Sequence, residues 1–176
     1  TTAEIKNELK NVFGVEEKKI RLALEVAENE TEILSGVSDD SISVYIGIPF
    51  CPSKCLYCSF VSSDLRTGKK YVDEYVRLLD KEIEKTAEVI KKLGFYIENI
   101  YIGGGTPTSI SNEQLRAVLS SVKKYFDLSK IKEYTLEAGR ADTITREKLE
   151  TAKAFGVDRI SINPQTMNDI TLERVG

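Results

Sequence analysis

Histidine and tryptophan are absent from the 176 residues, and cysteine and methionine are scarce, at three and one. Without histidine the chain itself holds no Ser–His–Asp triad, no His-rich metal site and no imidazole general base. Long apolar runs are missing too: none approaches the roughly 18 to 20 residues of a membrane span. The opening TTAEIKNELK has no apolar stretch resembling a signal peptide, so a cytoplasmic protein is expected. Nor is positive charge in excess. Lys and Arg number 25 against 28 Asp and Glu, a net −3, which argues against nucleic acid as the main partner. What is present is a globular composition. Apolar residues make up 41%, too many for a disordered chain, and a chain of this length buries roughly 70% of its unfolded surface.

Residues 1–40 predict a helical lead-in. Ile5, Leu9, Val12 and Phe13 recur at helical spacing before Gly14, and Ile20, Leu22, Leu24, Val26 and Ala27 continue until Ser35-Gly36. From residue 41 the pattern becomes strand, loop, helix, repeated, and residues 41–176 are expected to form the main domain. Strands are expected at 42–48, 96–102, 133–138 and 159–163. Helices are expected at 71–92, with a buried stripe of Tyr71, Tyr75, Leu78, Leu79, Ile83, Ala87 and Ile90, at 111–125 and at 145–154. Another helix begins at Asp169. Gly94 and Gly156 stand where helix-ending glycines belong, and Thr145 where an N-cap belongs.

Strands alternating with helices imply parallel pairing through right-handed crossovers. A doubly wound sheet covered on both sides would be apolar on both faces. Here Ile42, Val44, Ile46 and Ile48 share one face, and Ser43, Tyr45 and Gly47 the other. Tyr134 and Leu136 oppose Thr135 and Glu137, and Ile160 and Ile162 oppose Ser161 and Asn163. One apolar and one polar face suit a barrel wall, with helices outside and a polar ligand inside. A closed eight-unit barrel takes about 250 residues. The expected fold is therefore α/β, a partial (β/α) barrel reaching only its fourth parallel strand.

The three cysteines, Cys51, Cys55 and Cys58, fall within one octapeptide after the first strand. An odd, clustered set in a chain without a secretion signal is not a disulfide framework. Zinc would want four ligands, usually Cys or His. A 4Fe–4S cluster usually takes four thiolates, so three leave one iron open to a reactant. Gly103-Gly104-Gly105-Thr106-Pro107 ends the second strand, and three glycines let the backbone approach a ligand with no Cβ in the way. Glu137 ends the third strand and Gln165 follows the fourth. All of these stand at the C-terminal ends of successive parallel strands, where barrel enzymes build their sites.

C-x3-C-x2-C with an aromatic before the last cysteine resembles the radical S-adenosylmethionine (SAM) family. Tyr45-Ile46-Gly47-Ile48-Pro49-Phe50-Cys51, the Gly103 to Thr108 segment, Glu137 to Arg140 and Arg159 to Met167 are similar to the oxygen-independent coproporphyrinogen III oxidase group, in its coproporphyrinogen dehydrogenase branch. The resemblance covers residues 41–176. It implies that Cys51, Cys55 and Cys58 ligate a 4Fe–4S cluster whose open iron takes the amino and carboxylate groups of SAM. It implies SAM contacts from Tyr45, Gly103, Gly104, Gly105, Thr106, Glu137 and Gln165, with Tyr57 near the adenine. One electron from the cluster then cleaves SAM to methionine and a 5′-deoxyadenosyl radical. In this group the radical takes hydrogen from two propionates of coproporphyrinogen III, each of which loses CO2 to become vinyl, giving protoporphyrinogen IX for haem synthesis. The implied partners are a porphyrinogen substrate and a reductant such as flavodoxin or ferredoxin. The implied barrel has about six strands, so its remainder is expected beyond Gly176.

Three departures from the group's pattern stand out. Its Tyr-x-His is Tyr45-Ile46-Gly47 here, a further cysteine after the third cluster cysteine is Ser59, and its Glu-x-x-Pro is Glu137-Ala138-Gly139-Arg140. A related three-cysteine branch delivers haem as a chaperone, which is the alternative expectation. Arg140, at the mouth, is expected either to pair a substrate carboxylate through its fork or to form a surface salt bridge.

Overall fold

The computed structural model describes residues 1–175, arranged as two compact units, one spanning Thr1–Asp39 and the other beginning at Asp40. The first unit is a pair of helices, α1 (Thr2–Asn11) and α2 (Glu17–Leu34). Thr1 caps α1 and Gly14, at φ +64°, turns the chain between them. Ile20 is the buried residue of α2, whereas Leu22 and Val26 are exposed. The expected apolar run therefore gives only part of a buried face.

The second unit opens with β1 (Ser41–Ile48), then a short pair formed by β2 (Phe50–Cys51) and β3 (Ser63–Asp64), and the one-turn α3 (Leu65–Gly68). It continues with α4 (Val72–Leu93), β4 (Tyr96–Gly104), α5 (Asn112–Tyr125), β5 (Glu133–Glu137), α6 (Arg146–Ala154), β6 (Arg159–Ser161) and α7 (Asp169–Val175). The main sheet is parallel, in the order β1-β4-β5-β6. Sequence order and spatial order coincide, as they do along the wall of a (β/α) barrel. Among the described residues no helix is long and apolar enough to cross a membrane.

The core lies on one face of this sheet. Ile46 and Ile48 of β1, Ile100 and Ile102 of β4, and Tyr134 and Leu136 of β5 pack against Leu79 and Ile83 of α4 and Leu115, Val118, Leu119 and Val122 of α5. Each fully buried aliphatic side chain contributes about 1.5–3 kcal/mol relative to exposure. The other face carries the small and polar residues. The register sets Ser43 beside Asn99, Tyr45 beside Tyr101 and Gly47 beside Gly103, and Glu137 beside Ser161.

The helix boundaries follow local chemistry. Ser111 and Gln114 close a reciprocal capping box at the start of α5. Gly94 ends α4 at φ +76°, a left-handed conformation that costs glycine little. Thr145 caps α6 by accepting from the Lys148 backbone N–H at 3.2 Å. Lysine has no acceptor to complete a box, and the Lys148 ammonium instead donates to the carbonyls of Thr108 (2.6 Å) and Thr143 (3.1 Å).

Several expectations are corrected. The buried stripe of α4 does not include Tyr71 or Leu78, which are exposed; Val72 and Val76 take their places against the core. Tyr71 precedes the α-helix, in a 3-10 turn. β4 extends through Gly104, two residues past expectation, because its backbone still pairs with Gly47 and Ile48. β6 ends at Ser161, because Ile162 and Asn163 have no partners in the β5 ladder.

Candidate functional site

The cysteine loop is anchored at both ends. Phe50 is buried and sets its ring edge-on to Tyr75, with centroids 5.4 Å apart. The Tyr75 hydroxyl donates to the Gly47 carbonyl at 2.6 Å, tying α4 to the end of β1. The Ser63 N–H closes the loop onto the Pro49 carbonyl at 2.7 Å. Between these ties stand Cys51, Cys55 and Cys58, all free thiols and all part-exposed. The Thr106 hydroxyl donates to Cys51 (3.5 Å), Arg140 Nη1 to Cys55 (3.7 Å) and the Phe60 N–H to Cys58 (3.4 Å).

The glycine segment is pressed against this loop. The Gly105 and Thr106 N–H groups donate to the carbonyls of Ile48 and Phe50 at 2.9 and 2.8 Å. A Cβ at Gly105 would sit 2.8 Å from the Phe50 carbonyl oxygen and 2.9 Å from Cys51 Sγ. Only glycine lets the two strand ends come this close. Gly104 adopts φ +119°, and its N–H donates to Glu137 Oε2 at 3.2 Å. Glu137 thereby spans from β5 to the end of β4, and the Asn163 amide reaches its other oxygen at 3.5 Å. Gln165, beyond β6, holds φ +64°, the one non-glycine positive φ among the described residues. Such strain collects where a fold fixes a residue for binding.

These residues meet in a cavity of about 140 Å³. Cys51, Cys55, Cys58, Tyr57, Gly105, Thr106, Glu137 and Gln165 line it, together with Arg140 and Asn163. A larger recess of about 520 Å³ lies near Arg66, Lys69 and Lys148, but none of the thiols reaches it. Chemistry rather than volume selects the smaller one. Gly103, Gly104 and Tyr45 stand outside its lining. Tyr45 lies on the same polar sheet face, stacked on Tyr101 at 5.9 Å and 10°. Partial burial, then the negative charge of Glu137, pushes the Tyr45 phenol above its ordinary value. Burial, then a hydrogen bond with Cys55, does the same for Tyr57.

Tyr101 and Asn163 were not singled out by sequence. Their signal was the period-two alternation, which puts Tyr101 on the face of Gly103 and Asn163 on that of Ser161. Of the two roles the sequence leaves open for Arg140, a substrate carboxylate and a surface salt bridge, the structure shows the salt bridge. The Arg140 fork is occupied by Asp142, through Nε and Nη2 at 3.1 Å each, and its remaining nitrogen faces the loop.

Among the described residues no three His, Cys, Asp or Glu side chains gather as they would around a single metal ion. A four-iron cluster takes each thiolate on a separate iron, so its ligands need not converge on one point. Three sulfur donors on one short loop, beside a glycine whose place a Cβ would fill, suit such a group.

Comparison with known proteins identifies the family. The model of the Radical SAM superfamily matches residues 45–176. The chain belongs to that superfamily. This radical SAM chain is 39% identical over 175 residues to the oxygen-independent coproporphyrinogen-III oxidase-like protein HemZ of Bacillus subtilis (strain 168), an alignment covering 96% of the chain and 34% of that protein. It is also 39% identical over 136 residues to the heme chaperone HemW of the same organism, covering 76% of the chain and 34% of HemW. Among solved structures it resembles coproporphyrinogen III oxidase (HemN) from Escherichia coli, with a TM-score of 0.66 and 24% identity over 84% of the chain and 33% of HemN. That likeness is one of fold. The chain spans about a third of the length of each of these proteins.

Proposed function

We propose that this radical SAM chain carries the cluster and SAM site of an enzyme that oxidatively decarboxylates the propionates of coproporphyrinogen III. The observation that carries the reading is the convergence of three thiols, the Gly105–Thr106 edge, Glu137 and Gln165 on one cavity at the ends of successive parallel strands. Cys51, Cys55 and Cys58 would hold a 4Fe–4S cluster. When bound, cluster and SAM together supply a one-electron reductive cleavage that yields a hydrogen-abstracting radical.

The chain's own residues bind and orient. The Gly103–Thr106 backbone presents polar groups at a distance no side chain would permit. Glu137, held by the Gly104 N–H, would contact SAM from the end of β5. Gln165, in its strained conformation, and Tyr45 and Tyr57 bound the rest of it. The whole protein then draws electrons from a small redox protein and works in the cytoplasm.

A second reading, a haem chaperone that keeps cluster and SAM without oxidising porphyrinogen, is favoured by the 39% identity to HemW and by Ser59 after Cys58. The reach of the HemZ alignment across 96% of the chain, against 76% for HemW, supports the enzyme.

The test is anaerobic reconstitution of the full-length protein with iron and sulfide, followed by EPR of the reduced sample. The expected result is a 4Fe–4S signal that changes on adding SAM. Cys55→Ser is expected to abolish it, and Gly105→Ala to weaken or abolish it by displacing Cys51. Incubation with coproporphyrinogen III is expected to release CO2 and consume SAM. Stoichiometric haem binding with no SAM-dependent product would select the chaperone. Three thiols holding zinc, with no iron chromophore, would overturn both.

A further inference from the structure

Arg140 stands where the coproporphyrinogen oxidase group has proline, and the reading above leaves it without a role. It is nevertheless one of the most constrained polar residues at the cavity. Its carbonyl accepts from the Thr143 hydroxyl (2.7 Å) and the Thr143 N–H (3.1 Å), fixing the backbone in a 3-10 turn. The Thr143 hydroxyl is shared with that of Thr108 at 2.6 Å, in a buried pair that fastens this turn to the glycine segment. At the other end Asp142 grips Nε and Nη2 in a two-point contact, so the planar guanidinium has one orientation. The remaining nitrogen, Nη1, donates to Ser53 Oγ at 2.9 Å and points at Cys55 Sγ from 3.7 Å. The segment after β5 and the cysteine loop, more than 80 residues apart in sequence, are joined by this side chain.

We propose that Arg140 is a positioning residue that holds a permanent positive charge and a hydrogen-bond donor on the Cys55 sulfur and so raises the reduction potential of the cluster. The inference rests on the cluster assignment above. Arginine stays protonated at any working pH. Reduction adds one negative charge to the cluster and its thiolates, and a cation held against one sulfur stabilises the reduced form more than the oxidised form. Hydrogen bonds to the sulfurs are an established lever on iron–sulfur potentials. The ion pair with Asp142 moderates the charge and fixes its direction. No substrate carboxylate is involved, because the fork that would bind one is already occupied.

The experiment is an EPR-monitored redox titration of the reconstituted full-length protein without SAM, comparing the parent with Arg140→Lys and Arg140→Met. Iron and sulfide per chain and far-UV circular dichroism are measured on each. The midpoint is expected to be most negative in Arg140→Met, which keeps the stem and loses the charge. Arg140→Lys is expected between Met and parent, since it keeps the charge but not the fork. If Arg140→Met does not fold, the parent-to-Lys shift in the same direction carries the test. A residue that merely packed the loop would change cluster content without this ordered shift. Variants with the parent's midpoint, or a more positive one, overturn the proposal while leaving the cluster assignment standing. A parent that takes up no four-iron cluster overturns both.

Discussion

Tyr134, the second residue of β5, is 1% exposed, with its hydroxyl unpartnered among the described residues. An unsatisfied buried polar group costs about 1–3 kcal/mol. Tyr134→Phe is therefore expected to leave the fold as stable as the parent or more so, by up to about 1 kcal/mol, in urea unfolding. Burial also pushes this phenol far above its ordinary value near 10. Above about pH 10 the unfolded chain releases the proton and the folded chain keeps it, so the stability Tyr134 confers falls as pH rises. The gap between variant and parent should widen there, and a gap independent of pH would contradict the burial argument. At this scale legibility in sequence was uneven. Cys51, Cys55, Cys58, Glu137 and Gln165 could be singled out because their types are rare or stand at motif positions. Tyr101 and Asn163 could not, since a tyrosine and an asparagine in strand context have many ordinary uses. What makes them part of the site is a stacking partner, Tyr45, and an acceptor, Glu137, both distant in sequence.

Helices were the most legible elements, because their ends are written in short-range chemistry. The α5 capping box is one example. Ser111→Ala removes the acceptor of the Gln114 N–H and is expected to cost about 1 kcal/mol, read as a lowered midpoint in urea with unchanged slope. Loss confined to packing elsewhere would leave this variant at parental stability. Strand alternation also carried the barrel reading, since a single polar face was visible in three separate strands. It did not reveal the irregularity where β1 pairs with β4. The register skips Glu98 between Ile42–Ile97 and Ser43–Asn99. That bulge lets both Ile97 and Ile100 reach the core despite their odd spacing, and leaves Glu98 buried in an ion pair with Lys132. A strict period of two cannot report such a step, because the extra residue is recognisable only against its partner strand. The exposure of Tyr71 has a similar cause: it lies in the 3-10 turn ahead of α4, outside the phase that the stripe assumed.

At the scale of the molecule, four βα units in sequential order build one sector of barrel wall, with β1 and β6 each paired on one side within this sheet. Unpaired edges of this kind invite pairing with another strand. The cavity of about 140 Å³ is also smaller than the roughly 300–1,000 Å³ of small-molecule sites. On the proposed decarboxylase reading, these 176 residues alone are therefore expected to convert no coproporphyrinogen III, even when reconstituted. Robust decarboxylation by this segment would show that the porphyrinogen site is complete within it. By itself the sequence determined the fold class, the parallel sheet and the three-thiol loop. Each of those rests on local periodicity or on residue types close together in the chain. Only the tertiary structure decided which groups reach the sulfurs. Thr106, Arg140 and Phe60 each donate to one of them, and two of these three come from strand ends 55 or more residues away. Contacts over that separation depend on sheet register and on backbones close enough to exclude a Cβ, which no local pattern encodes.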